Sequence, residues 1–204
     1  MKILAIGAHP DDIEYGCCGF LLKMKKAGHN IDLLVMSLGE QGITGRNHDR
    51  KKEQKIAFEK CEFSNLYLRD YPDGKIICDH SLVSEIEAII IESSPDIIIA
   101  HYQDDYHQDH RNVAQAVIAA SRNQKALLFY QSYSAINFQP EVFVRIDNEM
   151  EKKIDKLQCF SSQIEKNTKK NIDFISCAVD TNKYYGHKAQ SEYAEGFRIE
   201  KFVL

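Results

Sequence analysis

Apolar residues along this chain recur with two periods, and the switches between them predict strands alternating with helices. Lys2 to Gly7 is a short apolar run suited to a buried strand. Ile13, Cys17, Leu21, Met24 and Ala27 then repeat at helical spacing until Gly28, which stops the pattern. Ile31 to Met36 predicts a second strand, Ser37 to Gly45 a Gly-rich loop, and Arg50 to Lys60 a second helix. A third strand over Ser64 to Leu68 precedes the turn signal Tyr71-Pro72-Asp73-Gly74. Leu82, Val83, Ile86, Ile89 and Ile90 share one side of a helix, Asp96 to Ala100 reads as a strand, and a helix runs from about Arg111 to Ser121.

Further on, Leu127 to Gln131 and Val142 to Ile146 read as strands. One helix carries Met150, Ile154, Leu157 and Ile164 as its stripe. Asn171 to Tyr185 fits either period, with helix favoured, and Phe197 to Val203 predicts a last strand. Runs such as Ile97-Ile98-Ile99 suit strands buried on both faces, which argues for a parallel sheet covered on both sides. The expected class is α/β, a Rossmann-like doubly wound, mainly parallel sheet with helices on both faces. With no repeat, low-complexity tract or linker, residues 1–204 read as a single domain.

Composition narrows the partners. The 26 basic and 30 acidic residues leave a net charge of -4, which gives no general attraction to phosphate backbones or anionic membranes. Nucleic acid is not an expected partner. Basic clusters at Lys51-Lys52 and at Lys166, Lys169 and Lys170 fall in helix-like stretches and read as solvated faces without a function. The N-terminal apolar run is too short for a signal segment or a membrane span, so a cytoplasmic protein without membrane insertion is expected. The six cysteines show no CxxC pair and read as reduced, partly buried thiols. Homo-oligomerisation is left open.

In an open parallel sheet, ligands bind outside the carboxyl ends of the strands. Two polar clusters follow predicted strands: His9-Pro10-Asp11-Asp12, and His101 to His110, reading His-Tyr-Gln-Asp-Asp-Tyr-His-Gln-Asp-His. Together they could supply a mixed His/Asp metal site, and two histidines with one aspartate meet the needs of a catalytic zinc that keeps one position open. A neighbouring carboxylate could then take a proton from water. Other readings exist for each cluster. Asp11 to Glu14 has the form of a capping box, and His107 to His110 that of a polar helix cap. His29, His48, His80 and His187 read as surface residues.

The chain resembles the PIG-L/LmbE deacetylase family, whose pattern is HPDD after the first strand and HxDH after a later one; here these are His9 to Asp12 and His107 to His110. The resemblance extends to Gly39-Glu40, to Arg50 with Glu53, to Lys153 to Gln163, and to Tyr193-Ala194-Glu195-Gly196-Phe197. It implies that His9, Asp12 and His110 bind one Zn²⁺ per chain. Asp11 would be the general base, a protonated His107 would polarise the oxyanion, and Asp109 would orient His107. Arg50 is carried over as a substrate-binding residue. Position 108 departs from the family, which often has proline where this chain has Gln108. The implied substrate is a small-molecule N-acetyl amino-sugar conjugate, hydrolysed to a free amine and acetate.

Two rivals have sequence features of their own. His107-Gln108-Asp109 spells the HxD of a non-haem iron oxygenase, although that family uses a β-rich jelly roll. The strand-helix order also suits a metal-free sugar-nucleotide binder or dehydrogenase, but Gly7-Ala8-His9 does not open a GxGxxG fingerprint.

Overall fold

The computed structural model describes residues 1–42 and 49–203. Residues 43–45 of the predicted Gly-rich loop and His48 lie outside the described residues. Seven strands form one sheet in the order β3-β2-β1-β4-β5-β7-β6. They are β1 Lys2–Gly7, β2 Asn30–Val35, β3 Asn65–Leu68, β4 Ile97–His101, β5 Ala126–Tyr130, β6 Val142–Arg145 and β7 Ala194–Phe202. The helices are α1 Asp12–Lys26, α2 Arg50–Cys61, α3 His80–Ser93, α4 Gln108–Ala120, α5 Met150–Leu157, α6 Ser161–Thr168 and α7 Phe174–Lys188. The first five strands are mutually parallel, while β7 runs antiparallel to both β5 and β6. The α/β class and doubly wound arrangement follow the expectation; a jelly roll is not formed.

Alternation along each strand feeds two cores, because successive side chains leave a strand on opposite faces. Leu4, Ile6, Leu34, Ile98 and Ala100 pack against Leu82, Ile86 and Ile90 of α3 and Val113 and Val117 of α4. Ile3, Ala5, Ile31, Leu33 and Ile99 face the other way, onto Ile13, Cys17 and Leu21 of α1. The six cysteines are free thiols. Among the described residues, no helix is long and apolar enough to cross a membrane.

The predicted helix carrying Met150 to Ile164 is in fact two. Its backbone breaks at Phe160, whose fully buried side chain leaves helical geometry at φ -93° and ψ 59°. The break lets α6 start on an acceptor: Glu53 accepts hydrogen bonds from the Ser162 backbone N–H at 2.9 Å and from the Ser161 and Ser162 hydroxyls. A carboxylate at that end also favours the helix dipole. α4 likewise begins three residues before the predicted Arg111, because His107 caps it.

The strand order reverses between β1 and β4, which pair in parallel. Connections leaving these neighbours go to opposite sides of the sheet, so a crevice opens at their carboxyl ends. The first polar cluster leaves β1 and the second leaves β4.

Candidate metal centre and its pocket

Asp11 and Asp12 are adjacent in sequence yet face different neighbours, and backbone conformation separates them. Asp11 stands before α1 with φ 93°, a left-handed geometry that Asp tolerates better than most residues. Its side chain makes no capping bond. Glu14 does not complete a capping box either, for its Oε1 accepts from the Gln54 amide at 2.7 Å, and Gln54 Oε1 accepts from the Asp11 N–H at 3.3 Å. The Asp11 carboxylate instead lies 3.3 Å from Arg50 NH2, whose guanidinium also donates to the carbonyls of Pro10 and Gly39. Burial raises the Asp11 carboxyl well above the usual carboxylate range, against the pull of Arg50. Burial likewise pushes Glu14 up to about 7.

Asp12 turns inward. Its Oδ2 accepts from the His9 N–H at 2.7 Å and lies 3.1 Å from His101 Nε2 and 3.6 Å from His9 Nδ1; Oδ1 is 3.3 Å from His110 Nε2. Although burial opposes ionisation, the charges of His110 and His101 hold Asp12 well below the usual carboxylate range.

Of the imidazoles beside Asp12, His9 and His110 each have a carboxylate behind them. His110 Nδ1 is 2.9 Å from Asp105 Oδ2, leaving Nε2 toward Asp12. His9 Nε2 is 3.0 Å from both Asp73 Oδ1 and Asp109 Oδ2, leaving Nδ1 toward Asp12. In metal sites a histidine ligand is oriented by a carboxylate on the ring nitrogen that faces away from the ion. Against their burial, the carboxylates hold the imidazolium form, raising His110 to about 9 and His9 well above its ordinary value. The His/Asp donors, buried except for the half-buried His107, form three overlapping groups: His9 with His107 and His110, Asp12 with His101 and His110, and His9 with Asp73 and Asp109. Two imidazoles and one carboxylate suit a divalent cation of the zinc type.

The structure corrects the expectation for Asp109. Its carboxylate meets His9, not His107, and it also accepts the backbone N–H groups of Gly74 at 2.7 Å and Ile76 at 3.2 Å. Asp109 is fully buried, tying the Tyr71 to Gly74 turn to the start of α4. What Asp109 gives His107 is its backbone N–H, which donates to His107 Nδ1 at 3.2 Å as the helix cap. That bond puts the ring proton of His107 on Nε2. Burial, with the nearby charges of His110 and His9, lowers its pKa.

Several residues here had been given no role. His101 stacks on His110 with ring centroids 4.0 Å apart, and its Nε2 accepts the Ala8 N–H at 3.1 Å while Nδ1 is buried without a partner. Burial and the charge of His110 lower it to about 4. Asp105 accepts from the Ser132 and Ser134 hydroxyls and the His107 N–H as well as facing His110. Asp73 accepts from the N–H groups of Gln41 and Gly42 beside its contact with His9. His101 ends β4, and Asp105 and Asp73 follow the carboxyl ends of β4 and β3, a signal available in the sequence. Gln54 sits within α2 and offered none.

The cluster opens into a cavity of about 350 Å³, within the range of small-molecule sites. His9, Asp11, Asp12, Arg50, His107 and His110 line its floor, and Tyr15, Tyr133 and Phe174 form an aromatic side. Lys166, Asn167 and Lys170 complete the wall.

Residues 4–121 match the family model described as PIG-L: GlcNAc-PI de-N-acetylase. The chain is 34% identical over 154 residues to the uncharacterized deacetylase YaiS of Escherichia coli strain K12, a match covering 72% of this chain and 83% of that protein. It is 25% identical over 224 residues to the diacetylchitobiose deacetylase of Thermococcus kodakarensis, covering 97% and 82%. The solved N,N'-diacetylchitobiose deacetylase from Pyrococcus horikoshii shares the fold with a TM-score of 0.85 at 22% identity, over 97% of this chain and 83% of that one.

Proposed function

The chain belongs to the PIG-L family of de-N-acetylases, and from that premise we propose that it is a zinc-dependent amide hydrolase that removes the N-acetyl group from an N-acetylglucosamine-type conjugate. The observation that carries this reading is the convergence of His9, Asp12 and His110 beside Asp11 on the floor of one pocket, each imidazole backed by a carboxylate. His9, Asp12 and His110 would hold one cation per chain. The chemistry that Zn²⁺ supplies at such a site is Lewis acidity, which acidifies water and polarises an amide carbonyl.

The chain's own groups supply the rest. Asp11, buried and raised toward neutrality, suits the role of general base: it takes a proton from the attacking water as oxygen bonds to the acetamide carbon. His107, neutral with its proton on Nε2, donates a hydrogen bond to the carbonyl oxygen as charge develops there. Delivery of the proton held by Asp11 to the nitrogen then breaks the C–N bond, so one water is consumed and a free amine and acetate leave. Arg50, buried between Pro10, Gly39 and Asp11, acts by positioning the Asp11 carboxylate, more than by reaching substrate.

Amine release from N-acetylglucosaminides tests the reading. The zinc-loaded protein is expected to release glucosamine-type products, a chelator to abolish the activity, and added Zn²⁺ to restore it. No amine release from any N-acetylglucosaminide by metal-loaded protein would overturn it.

A further inference from the structure

One hydrogen-bond acceptor on the pocket wall meets no donor from the protein, and a chain of buried groups fixes where it points. Gln163, Lys166, Asn167 and Lys170 all line the cavity, and their spacing sets them on one side of α6 and its C-terminal turn. The sequence reading of Lys166, Lys169 and Lys170 as one solvated face therefore divides, since Lys169 pairs with Glu165 at 2.6 Å and does not line the pocket. Gln163 is the buried member of the pocket side, 6% exposed.

The orientation of the Gln163 amide follows from its neighbours. Glu53 accepts a hydrogen bond from the Ser162 hydroxyl at 2.6 Å, so the Ser162 oxygen has only lone pairs to offer. Gln163 Nε2 donates to that oxygen at 3.3 Å and to the Gly42 carbonyl at 3.2 Å, which uses both amide protons. Turned over, the amide would set its own carbonyl oxygen against two other acceptors with no proton among them. Oε1 is left as the free end of the side chain, and among the described residues no donor meets it.

This acceptor stands beside the His/Asp floor. Gly42 is gripped from two sides, by Asp73, which accepts its N–H at 3.1 Å, and by Gln163, which donates to its carbonyl. A Cβ on Gly42 would lie 2.6 Å from Arg50 Nη1 and 3.3 Å from Gln163 Nε2, so Arg50 and Gln163 flank the same backbone. Asp73 in turn faces His9 at 3.0 Å. A neutral oxygen held in advance, largely out of solvent and close to the reacting centre, favours a ligand that brings an O–H to it and penalises one that does not.

We propose that Gln163 is a specificity-determining residue, its Oε1 accepting a hydrogen bond from a hydroxyl of the same sugar ring that bears the reacting acetamide. This rests on the deacetylase reading and deepens it: selection acts on the ring itself, through an uncharged acceptor, whatever the ring is conjugated to. The buried line Glu53 to Ser162 to Gln163 is what keeps the oxygen, and not the amide nitrogen, toward the substrate.

The test compares methyl N-acetylglucosaminide with its 3-deoxy, 4-deoxy and 6-deoxy analogues as substrates of the zinc-loaded protein and of Gln163→Met, both with checked melting temperature and zinc content. In the wild type, one deoxy analogue is expected to lose about ten- to hundredfold in kcat/KM, the scale of leaving a buried acceptor unpaired, and its position identifies the hydroxyl. In Gln163→Met the parent glycoside should fall by a similar factor, and the gap between it and that analogue should close toward one, because the two changes remove the same interaction. A residue that only holds Gly42 and α6 in place would lower all four glycosides alike and keep the gap. Equal kcat/KM for the four in the wild type, or a gap that survives Gln163→Met, overturns the proposal. If none of them is hydrolysed, the deacetylase reading falls by itself. Calorimetric binding of the same four glycosides then decides the role of Gln163: weaker binding of one deoxy analogue, with the difference lost in Gln163→Met, upholds it, and equal binding of all four removes it.

Discussion

Replacing Asp11 with Asn separates chemistry from architecture at the position where two adjacent aspartates look alike. Asn tolerates the left-handed backbone that Asp11 adopts at φ 93°, so the turn into α1 survives. No capping bond is lost, because the Asp11 side chain makes none. The Asp12 carboxylate, which faces His9, His101 and His110, is untouched. What disappears is the carboxylate base. General-base catalysis is typically worth about 10² to 10⁴ in rate, or about 3–5 kcal/mol of barrier, so kcat should fall by that order while zinc stays at one per chain.

Stability should move the other way. The folded protein holds the Asp11 proton more tightly than the unfolded chain does, because burial raises its pKa. Its ionisation therefore costs stability as pH rises above the unfolded value of about 3.9 and through the raised folded value. Asn removes that cost, so the melting temperature of the metal-free variant at neutral pH should not fall. A capping residue would behave differently: its loss costs ~1 kcal/mol, a drop of roughly 2–4 °C for a protein of this size, with the rate kept. Near wild-type kcat at full zinc content would refute the base assignment.

Three further outcomes test the surrounding structure. Asp109→Asn weakens the hold on His9, so zinc affinity should fall about 10- to 100-fold with kcat at saturating zinc nearly kept; a kcat loss at unchanged affinity would return Asp109 to His107. For His107→Ala, kcat is expected to drop about 10² to 10³ with zinc retained, as for loss of one oxyanion donor, and loss of zinc on dialysis would make His107 a ligand instead. Gly16→Ala would place a Cβ 2.1 Å from the buried Tyr130 ring. The gain of about 1 kcal/mol in helix propensity is smaller than the ~1–3 kcal/mol cost of overpacking, so denaturant titration should show a net loss of stability.

How far the sequence could be read followed from how local each interaction is. The strands β1 to β5 and the helices between them were legible because burial on two faces and helical spacing leave their pattern in consecutive residues. His9 and His110 were legible because a polar cluster directly after a buried strand has few places to go but the crevice. The Phe160 break was less legible: its cause is Glu53, more than a hundred positions earlier, accepting from Ser161 and Ser162. The contact of Lys153 is equally distant in sequence: it is fully buried against Glu195 at 2.7 Å, while Glu195 also accepts the Gly19 and Phe20 N–H groups.

The same distinction explains why residue types were found more readily than partners. Asp109 is one residue from His110 in sequence, but its carboxylate belongs to His9, a hundred positions away, because Gly74 and Ile76 present N–H groups that fix it there. Asp105, five residues before His110, takes the place behind that ring instead, held by Ser132 and Ser134 from beyond β5. At Asp11 and Asp12 the separation is narrower still, a single left-handed residue that sends one carboxylate to Arg50 and the next to the histidines. Such a conformation costs on the order of 1–2 kcal/mol for a non-glycine residue. The buried bonds of Arg50 to Pro10, and of Gln54 to the Asp11 N–H, hold the chain in it. Arg50 and Gln54 both come from α2, so the opposite orientations of the two aspartates are held by a helix that supplies none of the proposed ligands.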